Sequence, residues 1–119
     1  MKVSIVSTVK NEGDNLRILL DSILNQTMIP DEVVISDGGS TDNTRQILDE
    51  YQQWLPLTIV HAPDTNISQG RNQAITVASS PIIAVTDSGV VLSPQWLENL
   101  VRPLASGDAV AVAGWFEAD

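Results

Sequence analysis

The sequence predicts a doubly wound α/β domain, a mainly parallel sheet with helices on both faces, and three observations predict it. The apolar pattern switches repeatedly between a strand-like and a helix-like period. Several of the strand-like segments are apolar on both faces, as in a buried parallel sheet. Glycine and polar residues gather after those segments, where sheets of this class bind ligands. With 119 residues, 43% of them hydrophobic and 18% charged, the chain fits one globular domain and is not the composition of a disordered one.

The first strand is predicted over Val3 to Val9, and a crossover helix follows in which Leu16, Leu19, Leu20, Ile23 and Leu24 share one face. Glu32 to Asp37 forms the second strand, and Ile47, Leu48, Tyr51 and Leu55 mark the second helix. Leu57 to His61 is the third strand, and the helix after it runs from about Ser68 to Ala78 with Arg71, Ala74, Ile75 and Ala78 on one stripe. The fourth strand is expected at Ile82 to Asp87. Beyond it, Ser93 as N-cap and Pro94 at the first helical position open a helix with Leu97, Leu100, Val101 and Leu104 at core spacing. Pro103 ends or kinks that helix, and Ala109 to Gly114 forms the last strand. Right-handed crossovers between such strands give the layered architecture.

Charge excludes several function classes. A net charge of −9 and a pI near 4.2 repel nucleic acid and anionic membrane surfaces, so neither is expected as a partner. A diphosphate has to be met locally by backbone N–H groups, a few basic side chains or a metal ion. The chain has no cysteine and one histidine, His61, which removes disulfides, thiolate metal sites and a zinc site made by histidine alone. The apolar N-terminal run meets Lys10, Asn11 and Glu12 too early for a signal or membrane-spanning segment. A cytoplasmic location is the default expectation, with membrane association in a longer form as the alternative.

The polar residues that close the strands are Thr8 to Asn11, Asp37 to Ser40, and Asp87 to Gly89. In Ile35 to Thr44, a carboxylate at a strand end precedes two glycines and then Ser, Thr and Asp before a helix. One reading is a tight turn with Thr41 or Asp42 accepting from the unpaired N–H groups of the helix. The other is a ligand site. Asp37 would accept from a base or ribose there, while Gly38 and Gly39 let the ligand approach the backbone. The two are compatible.

Distributed pieces carry a family resemblance: Val3 to Val6, Asn11-Glu12, Leu20 to Thr27, Pro30 to Val34, the Asp37 turn, Gly70 to Ile75, Thr86-Asp87 and Gly114-Trp115. In order and spacing the chain resembles the N-terminal, nucleotide-sugar-binding part of family 2 glycosyltransferases, a Rossmann-like half of the GT-A fold. The likeness runs over residues 1–119. It implies an inverting glycosyltransferase of hexosyltransferase type, which binds a nucleoside-diphosphate sugar for transfer to an acceptor hydroxyl.

The resemblance places Thr8 and Asp37 at the base and Arg71 beside the diphosphate or base. A guanidinium grips phosphate with two donors, and the alternative is a surface pair with Asp64 or another carboxylate. Lys10 stands where many relatives carry an aromatic that stacks on the base. It reaches a phosphate or is simply exposed. Asn11 is a further binding candidate, unless it and Glu12 only start the first helix. Asp87-Ser88-Gly89 falls on the family's Asp-x-Asp motif, which shares a magnesium or manganese ion with the diphosphate, but Gly89 replaces the second carboxylate. Asp87 is therefore a lone candidate ligand, workable because magnesium keeps several waters, or else a ribose contact or turn cap. Ser88 completes the candidate set.

Trp115 is a candidate for the sugar pocket or, more simply, the core, and Trp54 and Trp96 are core or rim residues. The family's catalytic base and much of its acceptor surface come from sequence beyond the matched region. Glu117 and Asp119 have no spacing that identifies either as a base. The expectation is a truncated domain, inactive alone, that self-associates or works with a partner supplying the acceptor half. Two other readings stay open: a non-catalytic nucleotide-sugar-binding module, and an unrelated doubly wound receiver-like or flavin protein. The second lacks the acidic pair and the lysine that a receiver needs.

Overall fold

The computed structural model describes residues 2–104 and 111–113. Strands and helices alternate along the chain: β1 Val3–Val9, α1 Asn15–Leu24, β2 Glu32–Asp37, α2 Thr44–Tyr51, β3 Leu57–His61, α3 Ile67–Val77, β4 Ile82–Val85, α4 Trp96–Val101 and β5 Ala111–Ala113. The five strands form one sheet in the order β3-β2-β1-β4-β5, and every neighbouring pair is parallel. The chain builds outward from β1 to β3 and then crosses back to place β4 on the other side of β1. Strand order therefore reverses between β1 and β4, where a crevice opens above the carboxyl ends of the strands.

Side-chain alternation divides β1 and β2 between two unequal faces. Val3, Ile5, Val9, Val33 and Ile35 face the larger core, with Leu16, Leu19, Leu20 and Ile23 of α1, Ile47, Leu48 and Tyr51 of α2, and Leu97 of α4. Each such side chain contributes about 1.5–3 kcal/mol on burial. The opposite face is thinner. Val6 and Val34 pack there on Ala74 of α3, with Ile75 and Ala78 alongside. Gly70 and Ala74 are the buried residues of α3, and their small size lets its backbone lie close to the sheet.

Local chemistry sets the element ends. An Asn66 side chain accepts from Gln69 N–H while the Gln69 side chain accepts from Asn66 N–H, a reciprocal cap that starts α3. Gly13 turns the chain into α1 with φ +57, and its N–H donates to Thr44 Oγ1 at 2.9 Å. On the outer surface Arg17 pairs with Glu50, and Tyr51 donates to Asp21 Oδ1 at 2.6 Å. Burial first, and then Asp21, push the Tyr51 phenol pKa up.

Three expectations are corrected. Asn11 and Glu12 do not start α1, which begins at Asn15; they belong to the loop above β1. β4 ends at Val85 and not at Asp87, because Asp87, Ser88 and Gly89 favour a turn that leaves the ladder. α4 starts at Trp96 with Gln95 at its N-cap, so Ser93 and Pro94 precede the helix. Their carbonyls tie this segment to the end of α1: Pro94 O accepts from Thr27 N–H at 2.8 Å, and Ser93 O accepts from Gln26 Nε2 at 2.7 Å as well as from Trp96 N–H at 3.0 Å. After Val101 a short 3-10 turn over Arg102–Leu104 contains Pro103, which stops α4 as expected. The Leu104 side chain, both ends of the strand expected over Ala109 to Gly114, and Trp115, Glu117 and Asp119 lie outside the described residues. Trp96 is buried in the core and Trp54 is exposed at the rim. Among the described residues no helix is long and apolar enough to cross a membrane.

Candidate functional site

A cavity of about 710 Å³ lies over the carboxyl ends of β1 and β2, closed on one side by the start of α3 and on the other by the loop after β4. Its lining includes Thr8, Val9, Lys10 and Glu12 from the end of β1, Ser36 and Gly38 from β2, Thr65 to Ser68 and Gly70 around α3, and Asp87 and Ser88 after β4. Three loops meet because β1 is central and β2 and β4 are its two parallel neighbours.

Thr8, Lys10, Gly38, Asp87 and Ser88, all singled out from sequence, line this cavity; Asn11, Asp37, Gly39 and Arg71 are not among its lining residues. Asp37 has the parity of Val33 and Ile35, so its side chain lies on the α1–α2 side of the sheet, and it is 2% exposed. One of its oxygens, Oδ1, accepts from Gly39 N–H at 3.2 Å, from Ser40 N–H at 2.9 Å and from Ser40 Oγ at 2.7 Å. Those bonds hold the turn that carries Gly38 into the cavity wall. Gly39 takes φ +100, a conformation open to glycine and strained for other residues.

Asn11 stitches the first loop to the second. Its N–H donates to Ser40 Oγ at 2.9 Å and its Oδ1 accepts from Thr41 N–H at 2.7 Å, with φ +51. Asp42, one of the two expected helix-starting acceptors, takes Thr44 N–H at 2.9 Å and Thr44 Oγ1 at 2.5 Å. The Thr44 bonds, side chain first, pull the Asp42 carboxyl below the usual carboxylate range.

Arg71, one turn into α3, reaches Asp87 with Nη2 4.0 Å from Oδ1. Its partner is thus the other candidate residue and not Asp64. Ser88 Oγ donates to Glu12 Oε1 at 2.8 Å, which brings a carboxylate from the β1 loop to the β4 loop. The mouth therefore holds Lys10 and Arg71 against Glu12 and Asp87, a balanced local field within an acidic chain. For a metal ion the fit is partial: among the described residues no three His, Cys, Asp or Glu side chains are grouped to hold one. Asp87 is 60% exposed, and nothing stands within 4 Å of where a Gly89 side chain would begin. That openness suits a cation whose other ligands are phosphate oxygens and water.

Sequence reasoning missed Glu12, Ser36, Gly70 and the segment Thr65 to Ser68 as cavity residues. Ser36 had a legible signal. It is a polar residue inside an apolar strand, and its register partner across the β1–β2 pair is Thr8.

Comparisons with known proteins give the family and the fold. The family model described as Glycosyl transferase family 2 matches residues 4–119. Validoxylamine A glucosyltransferase of Streptomyces hygroscopicus subsp. limoneus is 33% identical over 103 residues, which cover 83% of this chain and 23% of that protein. Staphylococcus aureus TarS 1-349 in complex with UDP-GlcNAc superimposes with a TM-score of 0.79 at 26% identity, covering 89% of this chain and 32% of that one. The mannosyltransferase PcManGT of Pyrobaculum calidifontis, in complex with GDP-Man and Mn2+, gives 0.80 at 28%, covering 87% and 32%. The chain thus spans about a quarter to a third of the length of these three proteins.

Proposed function

This chain belongs to glycosyl transferase family 2, and on that premise we propose that its strand-end cavity binds the nucleoside-diphosphate part of a sugar donor for inverting transfer of a hexosyl unit to an acceptor hydroxyl. The observation that carries this reading is the position and lining of the cavity. It lies at the reversal of strand order, with Thr8 and Lys10 in its wall and Asp87, paired with Arg71, at its mouth. UDP-GlcNAc and GDP-Man in solved proteins of similar fold support the ligand class.

In this reading Thr8 and the backbone at Gly38 hold the nucleoside, with Asp37 fixing the turn behind them. Arg71 and Lys10 meet the diphosphate, where a bidentate guanidinium and a mobile ammonium offset the charge growing on the departing phosphate. Asp87 would hold a magnesium or manganese ion, which would supply further charge stabilisation at the diphosphate. Glu12 keeps the β4 loop in place through Ser88, and Asn11 ties the two walls together. No base for the acceptor proton is identified among the described residues.

Isothermal calorimetry with UDP, GDP, dTDP and CDP, each with and without manganese, tests the proposal. One nucleotide should bind, and Arg71→Ala should weaken it about tenfold or more. Failure of all four to bind would remove the donor-site reading.

A further inference from the structure

At the cavity floor the first turn of α3 crosses β1 and β2 closely, with Gly70 directly over the side chains of Ser36 and Thr8. The point where a Cβ of Gly70 would stand is 3.1 Å from Ser36 Oγ, 3.4 Å from Thr8 Cγ2 and 3.5 Å from Thr65 Oγ1. A methyl group at that point would press on the Ser36 hydroxyl, and all four residues also line the large cavity. Ser36 is 1% exposed, and its hydroxyl has no hydrogen-bond partner. Thr65 Oγ1, by contrast, donates its proton to Ala62 O at 2.6 Å and keeps its lone pairs.

A buried hydroxyl without a partner is a standing cost to the fold. Here it stands beside a glycine in a helix, which carries its own penalty of roughly 0.5–1 kcal/mol against alanine. Two unfavourable choices at one spot of a ligand cavity mark a position that serves binding and not the fold. A helical alanine would crowd the hydroxyl, and an apolar residue at position 36 would leave nothing to bind. Ser36 adjoins Thr8 on β1, away from the Arg71–Asp87 pair at the mouth, so the group it serves is the nucleoside end of the ligand. We propose that Ser36, kept open by Gly70, is a nucleoside-recognition residue: its hydroxyl hydrogen-bonds a polar edge atom of the base or the ribose that settles over Gly70. The inference rests on the donor-site reading and adds to it the residue that grips the nucleoside.

The test compares the wild-type chain with Ser36→Ala and Gly70→Ala, using UDP, GDP, dTDP and CDP as nucleotide probes and inorganic pyrophosphate as the probe without a nucleoside. Ser36→Ala should weaken the best-bound nucleotide about three- to tenfold, leave pyrophosphate affinity unchanged, and keep or raise the melting temperature of the free protein. Gly70→Ala should weaken the same nucleotide at least as much, and combining the two should give less than the product of their separate effects. Unchanged nucleotide affinity in Ser36→Ala overturns the inference while leaving the donor site intact. Equal losses for nucleotide and pyrophosphate overturn it as well, since Ser36 would then support the fold or the phosphate end. If the wild type binds pyrophosphate and no nucleotide, the donor-site reading fails first and the inference with it.

Discussion

Replacing Asp37 by alanine separates a residue that holds a turn from one that holds a ligand. Its Oδ1 accepts two backbone N–H groups and one hydroxyl, and the side chain is 2% exposed. Hydrogen bonds to a charged acceptor contribute about 1.5–3 kcal/mol each. The turn lies near the surface, where water can reach some of the released donors, so the sum falls to about 2–4 kcal/mol. For a domain of this size that lowers the melting temperature by roughly 8–16 °C. Asp37→Asn keeps a carbonyl oxygen in place and loses the charge, so it should cost about 1 kcal/mol. Ser40→Ala removes the hydroxyl that joins Asp37 to Asn11 N–H and should cost about 1–2 kcal/mol. Urea unfolding at constant m-value, followed by circular dichroism, measures all three. If Asp37→Ala stays within about 0.5 kcal/mol of wild type yet abolishes nucleotide binding, the bracing role is refuted and Asp37 is a direct contact.

Two further perturbations address the frame around the site. Gln26 is 6% exposed; its Nε2 donates to Ser22 O and Ser93 O, and its Oε1 accepts from Leu97 N–H. Gln26→Ala removes all three bonds, two of which join the end of α1 to α4 and the segment before it, and a loss of about 2–4 kcal/mol in the same unfolding assay is expected. Asp42 has its folded carboxyl pKa lowered by Thr44, so its contribution to stability is present above the unfolded value near 4. It fades as pH falls through the lower folded value. Unfolding measured at pH 7 and stepwise below pH 4 should show a smaller acid-induced loss in Asp42→Asn than in wild type.

The alternating apolar pattern was sufficient to read the sheet, because a two-sided core imposes local periods that survive in one dimension. The boundaries of β1, β2 and β3 follow from it directly. The α4 boundary failed because it depends on distant donors and acceptors at Gln26 and Thr27, which no local window contains, and the β4 boundary failed because the turn at Asp87 to Gly89 draws the chain out of the ladder before the apolar pattern ends. At the site the same division holds. Lys10, Gly38, Asp87 and Ser88 were legible because turn residues at strand ends are confined to one edge of a parallel sheet.

By itself the sequence determined the α/β class, the edge of the sheet that carries the cavity, and the family. Tertiary structure alone decided which side of β2 each residue serves: Asp37 braces the turn on the thick face, and Ser36, one position earlier, reaches the cavity on the thin face. It also decided that Arg71 meets Asp87 and that Glu12 meets Ser88. The reason is that a strand sends neighbouring side chains to opposite faces, and which face lies against α3 is settled only when the helices pack.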